Sequence, residues 1–233
     1  MSQLVLIPGL AGDAVMWRAQ LAALPVQWRA VVSDVHTHHD SIAAMAAALL
    51  AGHEGGLVLC GASMGGIIAM EAVRQAPQRI AGLALLGTNA RPETAEMRAL
   101  REAAIELFDA GRAAEVIEPN VALAFHPQQA ADRALTQAYL DFVLGAGAHQ
   151  LARQNRAIIG RPDASAHLSR VTCPTLVMCG EDDQLTPPEY SKEIASLVPA
   201  ARLVIVPQCG HMLTMEQPEI VNAALLAWLE EMA

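Results

Sequence analysis

The residues best suited to chemistry in this 233-residue chain fall in three separated places. Gly61-Ala62-Ser63-Met64-Gly65-Gly66 is a G-x-S-x-G run. That spacing suits a nucleophilic serine, because small residues two positions either side let a strand and a helix close on a strained turn that leaves the hydroxyl exposed. A serine hydroxyl is a weak nucleophile at neutral pH and needs a general base, itself held in one tautomer by a carboxylate. Two later stretches offer these groups: Gly180-Glu181-Asp182-Asp183-Gln184-Leu185-Thr186-Pro187 and Pro207-Gln208-Cys209-Gly210-His211-Met212. Together they would support acyl transfer, with the first N–H groups of the helix after Ser63, including that of Met64, facing the developing oxyanion. Taken singly, the same stretches also fit a glycine-rich connection without chemistry, a solvated acidic turn and an ordinary loop histidine.

A fourth cluster suggests a different chemistry. Val35-His36-Thr37-His38-His39-Asp40-Ser41 sets three histidines and an aspartate within five positions, and imidazole with carboxylate is the ligand set of hydrolytic zinc or iron sites. The run fits most of the H-x-H-x-D-H pattern of metallo-β-lactamase-like hydrolases. That pattern, however, needs a histidine where Ser41 stands, a different strand order and further ligand histidines after later strands. No catalytic metal is expected, and His36, His38 and His39 read as a polar loop at a pocket rim. Ser41 suits the N-cap of the next helix. His53, His126, His149 and His167 read as surface residues in loops or at helix ends.

Bringing Ser63, the acid and His211 together requires strands that end at one edge of a sheet. Short β-branched or leucine-rich runs recur at residues 4–7, 30–34, 57–61, 81–86, 175–180 and 203–206. Helical patterns fit residues 14–23, 41–51, 64–75, 188–197 and 218–231. Near-continuous apolar strands alternating with helices predict an α/β protein: an open, mostly parallel sheet of about six strands with helices on both faces. Residues 91–165 hold no convincing strand, only helix-like stretches at 93–108, 113–118, 128–144 and 148–159. They read as a helical cap or lid over the crevice where ligands bind in such sheets, inserted into a core made of residues 1–90 and 166–233.

With the serine turn after the third strand, the acid after the fifth and His211 after the sixth, the chain resembles the α/β-hydrolase superfamily over essentially its whole length. The resemblance is to the branch with a helical cap, which includes carboxylesterases, enol-lactonases and carbon–carbon bond hydrolases. It is carried by Gly61-Ala62-Ser63-Met64-Gly65-Gly66, by Gly180-Glu181-Asp182-Asp183 with Thr186-Pro187, and by Gly210-His211. In that family the acid falls three residues after the glycine, which implies Asp183, with Asp182 in reserve. The resemblance also implies a second oxyanion donor, the backbone N–H of Leu10 in Ile7-Pro8-Gly9-Leu10-Ala11-Gly12, where proline replaces a customary histidine. The two strands with which the family often begins have no room here, so a trimmed, all-parallel sheet is expected. The family's D-x-P-G-x-G-x-S falls on Asp34 to Ser41, which again makes the histidine run a loop.

Bulk composition sets the remaining bounds. A 53% hydrophobic content supplies a full core, and a formal net charge of −9 argues against a nucleic-acid partner. The N-terminus lacks the basic region of a signal peptide, and the longest uncharged stretch, residues 55–70, is too short to span a membrane. A cytoplasmic protein without membrane association is expected. Cys60, Cys173, Cys179 and Cys209 read as free, mostly buried thiols, with Cys209 packing near the site.

The expected activity is that of a serine hydrolase, a carboxylesterase acting on a small ester, lactone or thioester without a cofactor. Met16, Trp17, Met212 and Leu213 are placed as walls of its acyl pocket or, equally, as core. Arg153, Arg156 or Arg161 could receive a carboxylate, though Arg161 near Asp163 could as well form a structural pair. Carbon–carbon bond hydrolysis and a ligand-binding receptor with slow turnover are the alternatives.

Overall fold

The computed structural model describes residues 2–232. Its sheet has six strands: β1 (Gln3–Ile7), β2 (Val31–Val32), β3 (Leu57–Ala62), β4 (Ile80–Leu86), β5 (Thr175–Gly180) and β6 (Arg202–Val206). Their order is β2-β1-β3-β4-β5-β6, and every neighbouring pair is parallel. The helices are α1 (Arg18–Ala23), α2 (Ile42–Ala51), α3 (Met64–Gln75), α4 (Ala95–Asp109), α5 (Ala113–Asn120), α6 (Arg133–Gly145), α7 (Ala148–Ile159), α8 (Ser165–Leu168), α9 (Pro188–Leu197), α10 (Leu213–Glu216) and α11 (Pro218–Glu230). Among the described residues no helix is long and apolar enough to cross a membrane.

The strands are apolar on both sides because both faces are covered. Leu4, Leu6, Val58, Cys60, Ala84 and Leu86 enter one apolar layer with Trp17 and with Trp228 of α11. Val5, Ile7, Leu57, Leu59, Leu83 and Leu85 enter the other, with residues of α2, α3 and α9. This is the two-residue alternation of a strand. Each fully buried Leu, Ile or Val adds roughly 1.5–3 kcal/mol of transfer free energy.

Helices α4 to α8 occupy the stretch between β4 and β5, and a backbone bond from Ala164 N to Ala90 O (2.8 Å) ties its two ends together. Phe108, Phe125, Phe142 and Leu151 from this insertion share one apolar cluster with Leu86 and Met178 of the sheet. Ala157 and Ile158 of α7 and Leu168 of α8 join the other layer, so the insertion is anchored in both.

The short helices α8 and α10 were not expected, and three expected elements change. The strand expected at 30–34 shrinks to Val31–Val32, because Asp34 leads into a 3-10 turn at Val35–Thr37. The helix expected at 14–23 opens as a 3-10 turn, Ala14–Trp17, capped by Asp13, which accepts from Val15 N at 2.7 Å. The helix expected at 128–144 is interrupted after Ala131. There Asp132 accepts from Ala134 N (2.8 Å) and Leu135 N (3.2 Å), starting α6 afresh.

Candidate active site

Ser63 caps α3 with φ 52° and ψ −117°, in the left-handed half of conformational space that L-residues avoid. The surroundings hold it there. A Cβ on Gly61 would lie 2.2 Å from Gly65 O, and one on Gly65 would lie 2.0 Å from Ile7 O, so neither position admits a side chain. Ser63 N donates to Leu86 O at 2.8 Å, and Ser63 O accepts from Gly66 N (2.9 Å) and from the Thr88 hydroxyl (2.7 Å). Thr88, just beyond β4, is a brace that the sequence reading missed.

The loop after β1 runs beside the serine, since a Cβ on Gly9 would be 3.3 Å from that of Ser63. Neither Leu10 N nor Met64 N makes a hydrogen bond among the described residues. Met64 N, as the first of α3, has no carbonyl within the helix to receive it. The loop itself is clamped. Gln154 of α7 accepts from Ala11 N (2.7 Å) and donates to His36 O (3.0 Å), while His36 Nε2 lies 2.8 Å from Gly12 O.

His36 is therefore 1% exposed and corrects the expectation of a rim residue. Burial, the dominant influence, holds its pKa below the ordinary histidine value. His38 turns outward towards Asp34 (3.3 Å), and among the described residues no group of three His, Cys, Asp or Glu side chains could hold a metal ion.

His211 Nδ1 lies 2.9 Å from Asp183 Oδ2. The carboxylate accepts four further bonds: Leu185 N (2.9 Å) and Thr186 N (2.8 Å) on Oδ1, and the Thr186 hydroxyl (2.8 Å) and the Cys179 thiol (3.9 Å) on Oδ2. Burial works to raise the Asp183 pKa, but the charge of His211 and these bonds outweigh it and hold the carboxyl below its ordinary value. Burial also works against protonated His211, and the charge of Asp183, its hydrogen bond and the charge of Glu216 prevail, so that the pKa is raised. With Nδ1–H donated to Asp183, Nε2 is left as the basic nitrogen. Asp182 lies elsewhere, 45% exposed and 3.6 Å from His126.

The loop carrying His211 is anchored to the insertion. His211 N and Met212 N both donate to Ala124 O (3.0 and 3.1 Å). The buried Glu216 accepts from Gly210 N (3.0 Å) and from His126 N (2.7 Å). Burial raises the Glu216 pKa against the pull of those bonds. An acid five residues after the histidine, in an otherwise uncharged stretch, was the available signal for Glu216. Gln154 gave none. His126, expected on the surface, has a side chain only 14% exposed.

Ser63 and His211 line one cavity of about 320 Å³ together with Gly9, Leu10, Met16, Thr186 and Met212. Ser63 Oγ and His211 are not hydrogen-bonded in this structure, a contact that commonly tightens only with substrate bound. Trp17 and Leu213 do not line the cavity. They are 0% and 2% exposed in the core; for Trp17 the reason is that a 3-10 turn rotates successive side chains by about 120° and so sends Met16 and Trp17 to different sides.

The three arginines named from the sequence do not line the cavity either. Arg153 bonds Thr37 O, Arg156 bonds Asp109, and Arg161 pairs with Glu93 rather than Asp163. The arginine that does is Arg101. Cys60, Cys179 and Cys209 are fully buried; burial pushes the Cys179 thiol up to about 12 and the other two higher still, so none presents a thiolate.

A strained serine turn thus follows β3, a buried acid β5 and a histidine β6, and the profile of the alpha/beta hydrolase family matches residues 4–224. The chain belongs to that family. It is 28% identical to a Shigella flexneri protein bearing the name "Putative carbamate hydrolase RutD", over 95% of this chain and 89% of that protein. It is 27% identical to the dihydrolipoyllysine-residue acetyltransferase component of the acetoin cleaving system of Pseudomonas putida, over 98% of this chain. It spans 63% of that protein, less than two thirds of its length. Among solved structures, a thermophilic esterase from Thermogutta terrifontis matches with a TM-score of 0.91 at 28% identity, over 100% of this chain and 90% of the other. Family and relatives support hydrolase activity in general.

Proposed function

We propose that the chain is a serine hydrolase of small carboxylic esters, or of the related lactones and thioesters. The observation that carries this reading is His211, tied through Nδ1 to a buried Asp183, in the wall of the cavity that also contains the strained Ser63.

In the proposed reaction Ser63 Oγ bonds to the carbonyl carbon as His211 Nε2 takes its proton. The carbonyl electrons move to oxygen, where the N–H groups of Leu10 and Met64 receive the charge. Collapse of this intermediate breaks the bond to the leaving oxygen, which takes the proton from His211. Water, deprotonated by the same nitrogen, then repeats the sequence on the acyl-enzyme and releases the acid and free Ser63. Asp183 stays ionised throughout and holds the imidazole in one tautomer.

The insertion serves as a lid in this reading, since residues of α4, α5, α6 and α7 wall the cavity. Turnover of an ester and lactone panel by the wild type and by Ser63→Ala tests the proposal.

A further inference from the structure

Met97, Leu100, Arg101, Ala104 and Phe108 recur at the spacing of one face of α4, and all line the cavity. Burial is graded along them: Met97 and Leu100 are 40% and 59% exposed, whereas Phe108 is 3% exposed. Arg101, its side chain 25% exposed, lies between these mouth residues and the buried Phe108, roughly 6 Å along the axis from Met97. Among the described residues it is the one arginine in the cavity wall, otherwise built largely of Leu, Ile, Val, Met, Ala and aromatic side chains.

Its donors are only partly used. Nε donates to Glu93 Oε2 at 2.5 Å and Nη1 to Asn155 Oδ1 at 2.8 Å, while Nη2 makes no hydrogen bond among the described residues. Nor does Glu93 belong to Arg101 alone. Arg161, whose side chain is 4% exposed, donates to both Glu93 oxygens at 2.8 and 3.3 Å. Burial works to raise the Glu93 pKa, and the two guanidinium groups overcome it, so Glu93 is held ionised.

Two permanently charged guanidinium groups therefore share one carboxylate, and the cluster keeps one positive charge in excess. The Arg101 side chain is 25% exposed, so without substrate water reaches that charge from the cavity. A neutral ester brings no charge to offset it, whereas a carboxylate can accept a charge-assisted hydrogen bond from the free Nη2.

We propose that Arg101 receives a carboxylate carried by the substrate in addition to its ester, so that the preferred substrates are half-esters of dicarboxylic acids or esters of hydroxy acids. This specificity rests on the ester-hydrolase reading of Ser63. The interaction is binding alone, with the carboxylate ionised and Arg101 protonated throughout.

Calorimetric binding to Ser63→Ala tests it without requiring turnover. The probes are monobutyl glutarate, charged on the acyl side, and 3-butanoyloxypropanoate, charged on the alcohol side, each against its neutral carboxamide isostere. At least one carboxylate should bind tighter than its amide by about tenfold or more, the range of a charge-assisted hydrogen bond. The side that shows the preference identifies the group facing Arg101. That preference should vanish when Arg101→Gln is added and be partly kept by Arg101→Lys, which retains the charge beside Glu93.

Equal binding of both carboxylates and their amides, or a preference that survives Arg101→Gln, overturns the role of Arg101. A carboxylate preference that depends on Arg101, in a protein whose wild type hydrolyses no ester of the panel, overturns the reading of Ser63 and leaves Arg101 as an anion site.

Discussion

Proposed as the base, His211 must be neutral at Nε2, and Asp183 and Glu216 raise its pKa above the ordinary value of 6.5. The acid limb of kcat/KM should therefore be a single ionisation centred above pH 6.5. A pH-rate profile centred at or below that value would contradict the assigned environment. The choice of acid is also open to test. Asp183→Asn should lower kcat by about four orders of magnitude through the wrong imidazole tautomer, whereas the exposed Asp182→Asn should change it less than about tenfold. Steady-state kinetics giving the reverse order would transfer the role. At these positions Ser63 and His211 were legible because their neighbours are punctuated by glycines with one steric purpose. The choice between Asp182 and Asp183 was not legible from charge alone, since adjacent acids differ only in which way the turn points them. It came from family resemblance, and the structure sets Asp183 against His211.

The elements that hold these groups were read well where hydrophobic pattern decides and poorly where a side chain intervenes. Continuous apolar runs reveal a doubly covered strand, and all six strands were found; Asp13 and Asp132 moved helix starts with side-chain caps, and a backbone turn from Asp34 O to Thr37 N follows the shortened β2. The bonds between the insertion and the histidine loop were invisible beforehand, since Ala124 O and His126 N are backbone atoms without a sequence signature. Glu216 is the side chain that joins them. Glu216→Gln should cost about 1–3 kcal/mol of stability by weakening two buried bonds to a charged acceptor. A merely structural residue would stop there. As a positioning residue that also helps to raise the His211 pKa, it should lower kcat more than it alters KM and shift the acid limb to lower pH. Unchanged pH dependence in a folded variant would refute the positioning role.

Taken as one body, the protein closes a cavity of about 320 Å³ between the strand ends and the insertion, near the lower limit of small-ligand sites. Phe108, Tyr139 and Phe142 line its walls, and the exposed Met97, Leu100 and Leu185 surround its mouth. Across a homologous ester series, kcat/KM should peak at short to medium aliphatic acyl chains and fall for long-chain and bulky aromatic acids. A maximum at long-chain or aromatic esters would contradict this cavity as the acyl site. The sequence displayed the insertion as a gap in the strand pattern but not which of its faces turns inward. Arg153, Arg156 and Arg161 were consequently named in place of Arg101.

The reading of the whole molecule as a serine hydrolase turns on one hydroxyl. The measurement that decides it is kcat/KM for a short-chain ester with Ser63→Ala beside the wild type, both shown to be folded. Residues that act as a unit fail together, so removing Ser63 alone should reduce turnover by roughly four to six orders of magnitude, towards the uncatalysed rate. Ester turnover by Ser63→Ala within tenfold of the wild type would contradict the mechanism.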